Sequence, residues 1–280
     1  MKFGLHVSIA GNIYEAFNRA QELSCDTFQI FSRNPRGWSA KPLSREDAEE
    51  FRRRKKSSGI APVVVHIPYI INLGSPETEL FKKSIQTYIE DIRRAEMLGA
   101  EYFVTHIGNH MGKGEEFGLK RIAQGLQAAL SETKPKLKVL LENTAGSGTS
   151  LGHHLEQIAT IMELVGDDEK YLGLCFDTAH AFGAGYDVAT LGGLDAFLDK
   201  AEKLLGKDRL SVVHANDSKA ELGSHVDRHE DIGQGKIGLK GFRIIVNHPN
   251  LRAIPFILET PKKEPNEDER NLKTIRSLVK

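Results

Sequence analysis

Short apolar runs alternate with helix-like stretches along the whole chain, and this alternation restricts the fold more than any other feature. Eight of the runs are rich in Val, Ile, Leu and Phe and have the length of strands: residues 2–7, 26–31, 62–67, 100–107, 137–143, 171–178, 210–216 and 255–260. Most of them lack polar alternation, as strands buried on both faces should. Strands that alternate with helices form parallel sheets through right-handed crossovers.

Helices are predicted between the strands, at residues 13–23, 44–57, 76–98, 115–131, 151–165, 191–205 and 266–279. Ser44 with Asp47 resembles a capping box, Pro76 suits a first helical turn, and Gly59 and Gly99 follow last turns. Eight strands with helices between them predict an α/β fold, a (β/α)8 TIM barrel. We expect one domain over residues 1–280, because such a barrel needs about 250 residues.

The composition narrows the classes of protein that the chain can belong to. The 38 basic and 38 acidic residues give zero net charge, so a nucleic-acid partner would be held by local basic clusters. The two cysteines, Cys25 and Cys175, are too few for a disulfide scaffold, and we expect buried thiols. The chain shows neither a signal-peptide run nor the roughly 20 apolar residues of a membrane span, so a cytoplasmic location is expected.

Metal-binding side chains close six of the strand-like runs. A side chain just past the carboxyl end of a barrel strand points into the mouth of the barrel, where such enzymes keep their chemistry. The six therefore predict one shared metal site at the C-terminal mouth, formed by His66, His106, Glu142, Asp177, His214 and Glu259.

Taken singly, these residues have ordinary explanations. Glu142 and Glu259 could each be a salt-bridged structural acid, although a carboxylate at the edge of a barrel core is costly unless it meets a cation. His180 follows Asp177 by one helical turn. Asp227 and His229 alternate in a loop, which points both to one side if the backbone is extended. If this loop is exposed to solvent, Asp227 and His229 would instead belong to a solvated surface patch.

Together, five imidazoles and four carboxylates without a thiolate suit Zn²⁺ first, and also Mn²⁺ or Fe²⁺. One zinc ion takes about four ligands, so nine exceed one ion and fit two or three. Metal ions held about 3.5 to 4 Å apart stabilise the attacking and leaving oxygens in phosphodiester displacement. The set therefore predicts a multinuclear hydrolase.

Two loops could provide substrate contacts. Residues 32–41, SRNPRGWSAK, combine Arg33, Arg36 and Lys41 with Trp38, the only tryptophan. This pattern suits phosphate contact and base stacking, or equally a charged loop that Trp38 pins to the barrel. After His66, the bulky residues 69–71 are either plain packing or a wedge that opens a duplex. Of the remaining histidines, His6 faces the mouth as a supporting contact or a core residue, whereas His110, His153, His154, His225 and His248 are expected to have surface or structural roles.

The motifs resemble those of the endonuclease IV family of apurinic/apyrimidinic (AP) endonucleases, also called AP endonuclease family 2. The resemblance runs from GLHVS to FILET, and its most specific blocks are GLCFDTAHAFGAG and VHANDSKAELGSHVDRH. It implies a TIM barrel with three zinc ions that cleaves double-stranded DNA on the 5′ side of an abasic site during base excision repair. The implied products are a 3′ hydroxyl and a 5′ deoxyribose phosphate, and blocked 3′ ends are also trimmed.

The resemblance also implies roles by matching position. His66 and His106 would hold the first zinc, and Glu142 would bridge it to a second. The second zinc would be completed by Asp177, His214 and Glu259, and the third would be held by His180, Asp227 and His229. Glu142 and Glu259 are the expected catalytic carboxylates, and Glu259 would orient the attacking water.

Arg36, Tyr69 and Ile70 match positions from which the family inserts side chains into DNA to bend it and to flip out the abasic nucleotide. The chain departs from the family at Pro68, where a serine is usual, and at Ile70, where leucine is familiar. Proline fixes the local backbone and removes a hydroxyl, which affects the placement of Tyr69.

Two other functions fit parts of the pattern. A divalent-metal sugar isomerase or epimerase on a related barrel also uses strand-end His, Asp and Glu, but it has no need of Asp227 and His229. A non-catalytic module that binds damaged DNA would keep the loops but would not need nine metal ligands. We expect the protein to act as a monomer.

Overall fold

Eight parallel strands close into a barrel in the computed structural model, which describes residues 1–166, 170–262, 264 and 266–280. Each strand pairs with its neighbours in the chain, and the last pairs with the first. The strands are β1 (Lys2–His6), β2 (Thr27–Phe31), β3 (Val63–His66), β4 (Tyr102–His106), β5 (Lys138–Glu142), β6 (Leu172–Asp177), β7 (Leu210–His214) and β8 (Pro255–Leu258). The predicted TIM barrel is thereby confirmed.

The helices lie outside the barrel, between the strands. They are α1 (Ala16–Glu22), α2 (Arg45–Ser58), α3 (Thr78–Leu98), α4 (Glu115–Thr133), α5 (Leu155–Val165), α6 (Thr178–Ala184), α7 (Leu191–Leu205), α8 (Gly238–Asn247) and α9 (Glu267–Ser277). Short 3-10 turns occupy Ile13–Glu15 and Pro249–Leu251. In the loop after β7, a small antiparallel ribbon pairs Asp217–Ser218 with His229–Glu230.

The predicted end signal of α2 is confirmed, and of the predicted capping box at its start the structure shows the Ser44 half. Ser44 is its N-cap, and the Ser44 hydroxyl accepts a hydrogen bond from the backbone N–H of Asp47 at 3.0 Å. Gly59 ends the helix in the left-handed conformation, at φ 70°, and Gly99 ends α3 in the same way. Glycine adopts this backbone without the steric cost that a side chain would bring.

The helical segments differ from the prediction in several places. Pro76 precedes the N-cap of α3, because Glu77 is still extended (φ −75°, ψ 114°), so the helix begins at Thr78. The α5 helix begins at Leu155, four residues later than expected, because Gly152 has a φ of 94°. In the segment after residue 233, whose glycine-rich sequence is only marginally helical, Gly238–Asn247 form the regular helix α8.

Two apolar layers hold the barrel together. One fills its interior and consists of Val64, Val104, Leu140, Cys175, Val212 and Ile257. The other lies between the strands and the helices and includes Phe28, Phe103 and Phe176. Successive side chains of a strand point to opposite faces, so each of the strands β3 to β8 contributes to both layers, and this explains their continuous apolar runs in the sequence.

Cysteine burial agrees with the prediction. Cys25 and Cys175 are buried free thiols, and burial raises the pKa of each to about 12. Among the helices described, none combines the length and the apolar character required to cross a bilayer.

Candidate metal centre

The six strand-end side chains form one layer directly above the apolar interior of the barrel. Each stands two residues after an interior residue, and residues two apart in a strand share a face. The pairs are Val64 and His66, Val104 and His106, Leu140 and Glu142, Cys175 and Asp177, Val212 and His214, and Ile257 and Glu259. The alternation that fills the barrel therefore also brings the ligands to its mouth.

Strand register places particular ligands side by side. His106 lies opposite Glu142 in the pairing of β4 with β5, and Asp177 lies opposite His214 in the pairing of β6 with β7. Partner residues on neighbouring parallel strands are adjacent in the sheet. These contacts follow from the backbone and need no loop rearrangement.

A first group consists of His66, His106 and Glu142, whose ligand atoms lie within 4.8 Å of one another. The Nε2 atoms of the two imidazoles lie 3.1 and 3.2 Å from Oε2 of Glu142. Nδ1 of His66 is 2.8 Å from the carbonyl oxygen of Ile67 and donates to it. That hydrogen bond leaves Nε2 of His66 as the nitrogen free to bind a metal ion.

A second group shares Glu142 and adds Asp177, His214 and Glu259. Nδ1 of His214 lies 2.9 Å from Oε1 of Glu142 and 3.3 Å from Oε2 of Glu259. Oδ2 of Asp177 lies 4.0 Å from the same nitrogen. Both oxygens of Glu142 therefore face imidazoles of different groups, the arrangement that a bridging carboxylate requires.

A third group shares Asp177 and adds His180 and His229. Nε2 of His180 and Nε2 of His229 lie 3.2 and 3.4 Å from Oδ1 of Asp227, which brings this loop carboxylate to the same place. Asp177 caps α6 by accepting from the backbone N–H of His180 at 2.8 Å. Nδ1 of His180 and Nδ1 of His229 face the backbone carbonyls of Asn143 and Glu259, so each Nε2 is left to bind.

The electrostatics of the centre suit divalent cations. Within the described part of the chain, every ion-pair partner of its carboxylates is a histidine. Among the residues that the structure describes, the buried Nε2 atom of His229 has no hydrogen-bond partner. Buried carboxylates are costly unless a cation meets them, and nitrogen with oxygen donors is a set typical of zinc and similar ions.

The carboxylates and imidazoles of the centre shift one another's pKa values. Burial alone would raise the pKa of Glu142, but the imidazoles of His214 and His106 outweigh it and hold the pKa well below the usual value. Burial would lower the pKa of His180, but Asp177 and Asp227 raise it well above the usual value. Metal binding here would therefore displace protons and depend on pH.

Three buried amides support the ligands, and sequence reasoning missed all of them. Asn216 donates to Oδ2 of Asp177 at 2.7 Å and accepts from the backbone N–H of Glu259 at 2.7 Å. Asn143 hydrogen-bonds both backbone groups of Asp177. Gln29 contacts His214 and Glu259 from β2. Each stands inside or directly after a strand-like run, where a polar amide is itself a signal.

The metal-binding side chains open into a cleft of about 400 Å³. It is lined by His6, Phe31, His66, Tyr69, His106, His180, Asp227, His229, Glu259, Thr260 and Lys262. A turn from Pro68 to Ile71 closes with a backbone hydrogen bond of 3.3 Å and leaves Tyr69 62% exposed at the rim. The Tyr69 ring lies 5.2 Å from that of Phe31, and Ile70 is half-buried beside it.

The contacts of the loop after β2 distinguish between the two alternatives that its sequence left open. Arg36 is exposed, but Arg33 is 3% exposed, and its guanidinium pairs with Asp91 at 3.4 Å and Glu90 at 3.1 Å. Arg33 is therefore not available for phosphate contact. Trp38 is half-buried beneath Nζ of Lys83, at 4.5 Å, which favours the alternative in which this residue pins the loop.

Of the remaining histidines, His6 lies in the barrel mouth, whereas His154, His225 and His248 make structural contacts elsewhere. His6 lies in the mouth, with Nδ1 3.3 Å from Oε1 of Glu259. His154 caps α5, and His248 is buried with Nε2 2.9 Å from Asp195. His225 donates from Nδ1 to the carbonyl of Ala145 at 2.9 Å.

Comparisons with known proteins agree with this geometry. A family model described as a xylose isomerase-like TIM barrel matches residues 17–278. A probable endonuclease 4 of Methanosphaerula palustris is 47% identical over 282 residues, covering 100% of this chain and 98% of that protein. A probable endonuclease 4 of Chloroflexus aurantiacus is 45% identical over 280 residues, covering 99% and 98%.

Solved structures give the same result. Endonuclease IV from Thermus thermophilus superposes with a TM-score of 0.87 at 38% identity, covering 99% of this chain and 98% of that one. A D-tagatose 3-epimerase-like protein superposes with a TM-score of 0.71 at 21% identity, covering 99% and 97%, and this likeness shows the fold alone. The chain belongs to the endonuclease IV family.

Proposed function

We propose that this protein is a metal-dependent AP endonuclease. It hydrolyses the DNA phosphodiester on the 5′ side of an abasic site, leaving a 3′ hydroxyl and a 5′ deoxyribose phosphate, and it trims blocked 3′ ends. The observation that supports this most is the chain of three groups of metal-binding side chains, linked through Glu142 and Asp177, at the mouth of a barrel of this family.

We assign three zinc ions to the three groups, and Mn²⁺ or Fe²⁺ would suit the same nitrogen and oxygen donors. The ligands assigned are His66, His106, Glu142, Asp177, His180, His214, Asp227, His229 and Glu259. Zinc held there would supply positive charge against the phosphate and lower the pKa of water. The protein contributes the spacing of the ligands and excludes solvent from the bottom of the site, since Glu142 and His214 are 0% exposed.

Glu259 is the carboxylate best placed to act on the attacking water. It borders the cleft and is 19% exposed, whereas Glu142 beneath it is fully buried. The amide of Gln29 and the ring of His6 hold Oε1 of Glu259. We assign Glu259 to orienting the water and receiving its proton, and Glu142 to bridging two ions.

The rim gives the site its DNA contacts in this proposal. Tyr69 lines the cleft, the half-buried Ile70 follows it in the same turn, and the exposed Arg36 lies on the loop after β2. Side chains wedged between base steps unstack the duplex and kink it, at a cost of a few kcal/mol per step. The cost is smallest where a base is already missing, which favours abasic sites over intact DNA.

Cleavage of a duplex with one abasic analogue tests the proposal. The wild type should cut once, 5′ to the lesion, and chelation should abolish cutting while duplex binding persists. Glu259→Gln should cut about 100-fold or more slowly, because positioned acid–base groups contribute about 100- to 10,000-fold. Glu163→Gln, an exposed change on α5, is the matched control and should cut normally.

Two results would contradict the proposal. Equal cleavage by the wild type and Glu259→Gln would remove the role of Glu259. Turnover of free ketoses without cleavage of abasic duplex would indicate a sugar isomerase instead.

A further inference from the structure

A buried glutamine on β2 contacts three side chains of the metal centre at once. Gln29 is 0% exposed and is the middle residue of β2. Its Oε1 lies 2.8 Å from Nε2 of His214. Its Nε2 lies 2.6 Å from Oε1 of Glu259 and 3.0 Å from Nδ1 of His6. The three partners come from β1, β7 and the end of β8, so one amide joins distant parts of the chain.

The orientation of this amide is fixed by its neighbours. An ionised carboxylate only accepts hydrogen bonds, so the group that faces Glu259 at 2.6 Å has to be the NH₂ of Gln29. The opposite orientation would set two oxygens against each other. The carbonyl oxygen of Gln29 is therefore directed at His214, and it can only accept.

That orientation determines which nitrogen of His214 binds. Because Oε1 of Gln29 accepts, Nε2 of His214 carries a proton, and Nδ1 is the nitrogen available for a metal ion. Nδ1 is also the nitrogen that faces Glu142 and Glu259. In His66, His180 and His229, Nδ1 faces a backbone carbonyl. In those three rings Nδ1 therefore carries the proton, and Nε2 is the nitrogen available for a metal ion. A side chain thus fixes the ring orientation of His214, whereas backbone carbonyls fix those of His66, His180 and His229.

The same amide also orients Glu259. Its N–H group holds Oε1, so Oε2 is the oxygen directed at the second metal group, 3.3 Å from Nδ1 of His214. We propose that Gln29 is a positioning residue of the metal centre, selecting the coordinating nitrogen of His214 and the coordinating oxygen of Glu259. This inference rests on the proposed function for its catalytic consequence but not for its effect on metal binding.

Gln29→Met tests the inference, because methionine keeps the length of the side chain and removes both hydrogen bonds. Hydrogen-bond partners of metal ligands typically contribute 10- to 100-fold to metal affinity or activity. Competition with a chelator should show one ion bound about 10- to 100-fold more weakly and the others unchanged. On abasic duplex, kcat should fall by a similar factor, with KM within about threefold, because Gln29 is fully buried and does not contact DNA.

Gln157→Met is the matched control. Gln157 is also a buried glutamine, but its Oε1 accepts from the backbone N–H of Gly152 at 2.7 Å, in the capping box of α5. We expect this variant to lose stability while metal affinity and kcat stay within about twofold of the wild type. If Gln29→Met fails to fold, Gln29→Asn retains the polarity of the site and withdraws the amide by one methylene group, with the same expected loss.

A spectroscopic measurement distinguishes a positioning role of Gln29 from a purely structural one. In ¹⁵N-histidine spectra of the zinc-loaded protein, His214 should show a protonated Nε2 in a hydrogen bond that Gln29→Met removes. Unchanged zinc affinity together with an unchanged His214 signal in the variant would overturn the inference. Both measurements omit DNA, so they decide the role of Gln29 even if the wild type does not cleave abasic sites.

Discussion

Oε1 of Glu142 and Nδ1 of His214 lie 2.9 Å apart between two side chains that are both fully buried. The other oxygen of Glu142 faces His66 and His106 at 3.1 and 3.2 Å. One carboxylate thus joins two of the three groups of ligands. Among the described residues its ion-pair partners are all histidines, with no lysine or arginine. The negative charge of Glu142 is therefore balanced by protons or metal ions on those imidazoles.

Glu142→Gln should release metal from both groups that share this residue. The substitution keeps the shape of the side chain but removes its charge and replaces one acceptor oxygen with a donor. Loss of a residue that hydrogen-bonds a metal ligand typically lowers metal affinity or activity 10- to 100-fold. Loss of a bridging ligand itself should therefore lower abasic-site cleavage by at least about 100-fold. Elemental analysis should give about one ion per chain. Three ions retained per chain would contradict the bridging role.

Tyr69→Ala should weaken DNA binding and leave folding intact. The ring is 62% exposed over the cleft, and stacking of an aromatic ring on a base contributes about 1–3 kcal/mol. The Kd for abasic duplex should rise about 5- to 150-fold, with the free energy of unfolding changed by less than about 0.5 kcal/mol. Leu164→Ala, a 41% exposed leucine at the end of α5, is the control and should not alter Kd. An equal rise in both variants would argue against a wedge at Tyr69.

Asp217→Asn should disorganise the loop that carries Asp227 and His229. The carboxylate of Asp217 accepts backbone N–H groups from Ser218, Gly233, Gly235, Ile237 and Gly238. An asparagine amide turns one of its acceptors into a donor that faces other donors, which costs about 1–3 kcal/mol. Urea unfolding should show that loss, and metal analysis should show the third ion depleted.

Asp199→Asn, an exposed change on α7, is the control for that experiment and should have neither effect. If Asp217→Asn kept full metal content and stability, the loop would be held by other contacts.

Asp91 should make stability fall as the pH rises. Burial raises its pKa from 3.8 to about 6, against the lowering effect of Arg33, and Oδ2 of Asp91 has no hydrogen-bond partner among the described residues. A raised carboxyl pKa means that the folded state holds the proton more tightly. Its contribution is complete below pH 3.8 and is lost as the pH rises through about 6.

Urea unfolding of the wild type and Asp91→Asn across this range checks the sign. The stability difference should move in favour of the variant by about 2 kcal/mol between pH 4 and 7. Glu90→Gln removes the other carboxylate partner of Arg33, one that is 62% exposed, and should show little of this dependence. Parallel pH curves for wild type and Asp91→Asn would mean that Asp91 is ionised throughout.

Local sequence patterns predicted much of the metal centre, because the same pattern recurs at the end of most barrel strands. An apolar run followed by His, Asp or Glu is visible in sequence, and closure of the barrel brings such positions together. The pairing of Asp177 with His180 was also local, since the carboxylate caps the helix that carries the imidazole. Their roles as ligands remain predictions for the experiments above.

Residues whose partners are distant in sequence were left undecided or missed. The loop sequence around Arg33 fitted phosphate contact and a charged loop held against the barrel equally well, because its partners Glu90 and Asp91 lie on α3. Gln29 was passed over inside an apolar run, because its partners His214 and Glu259 are 185 and 230 residues away. A polar side chain in a buried strand signals that a partner exists but not which one.

The sequence by itself determined the architecture and the side of the barrel where metal-binding groups collect, because strand alternation and helix spacing are local properties of the chain. Tertiary structure alone decided which ligands share a carboxylate, which nitrogen of each imidazole is free, and which basic side chain is buried in an ion pair. These depend on barrel register and on hydrogen bonds between distant residues, which are set only when the barrel closes.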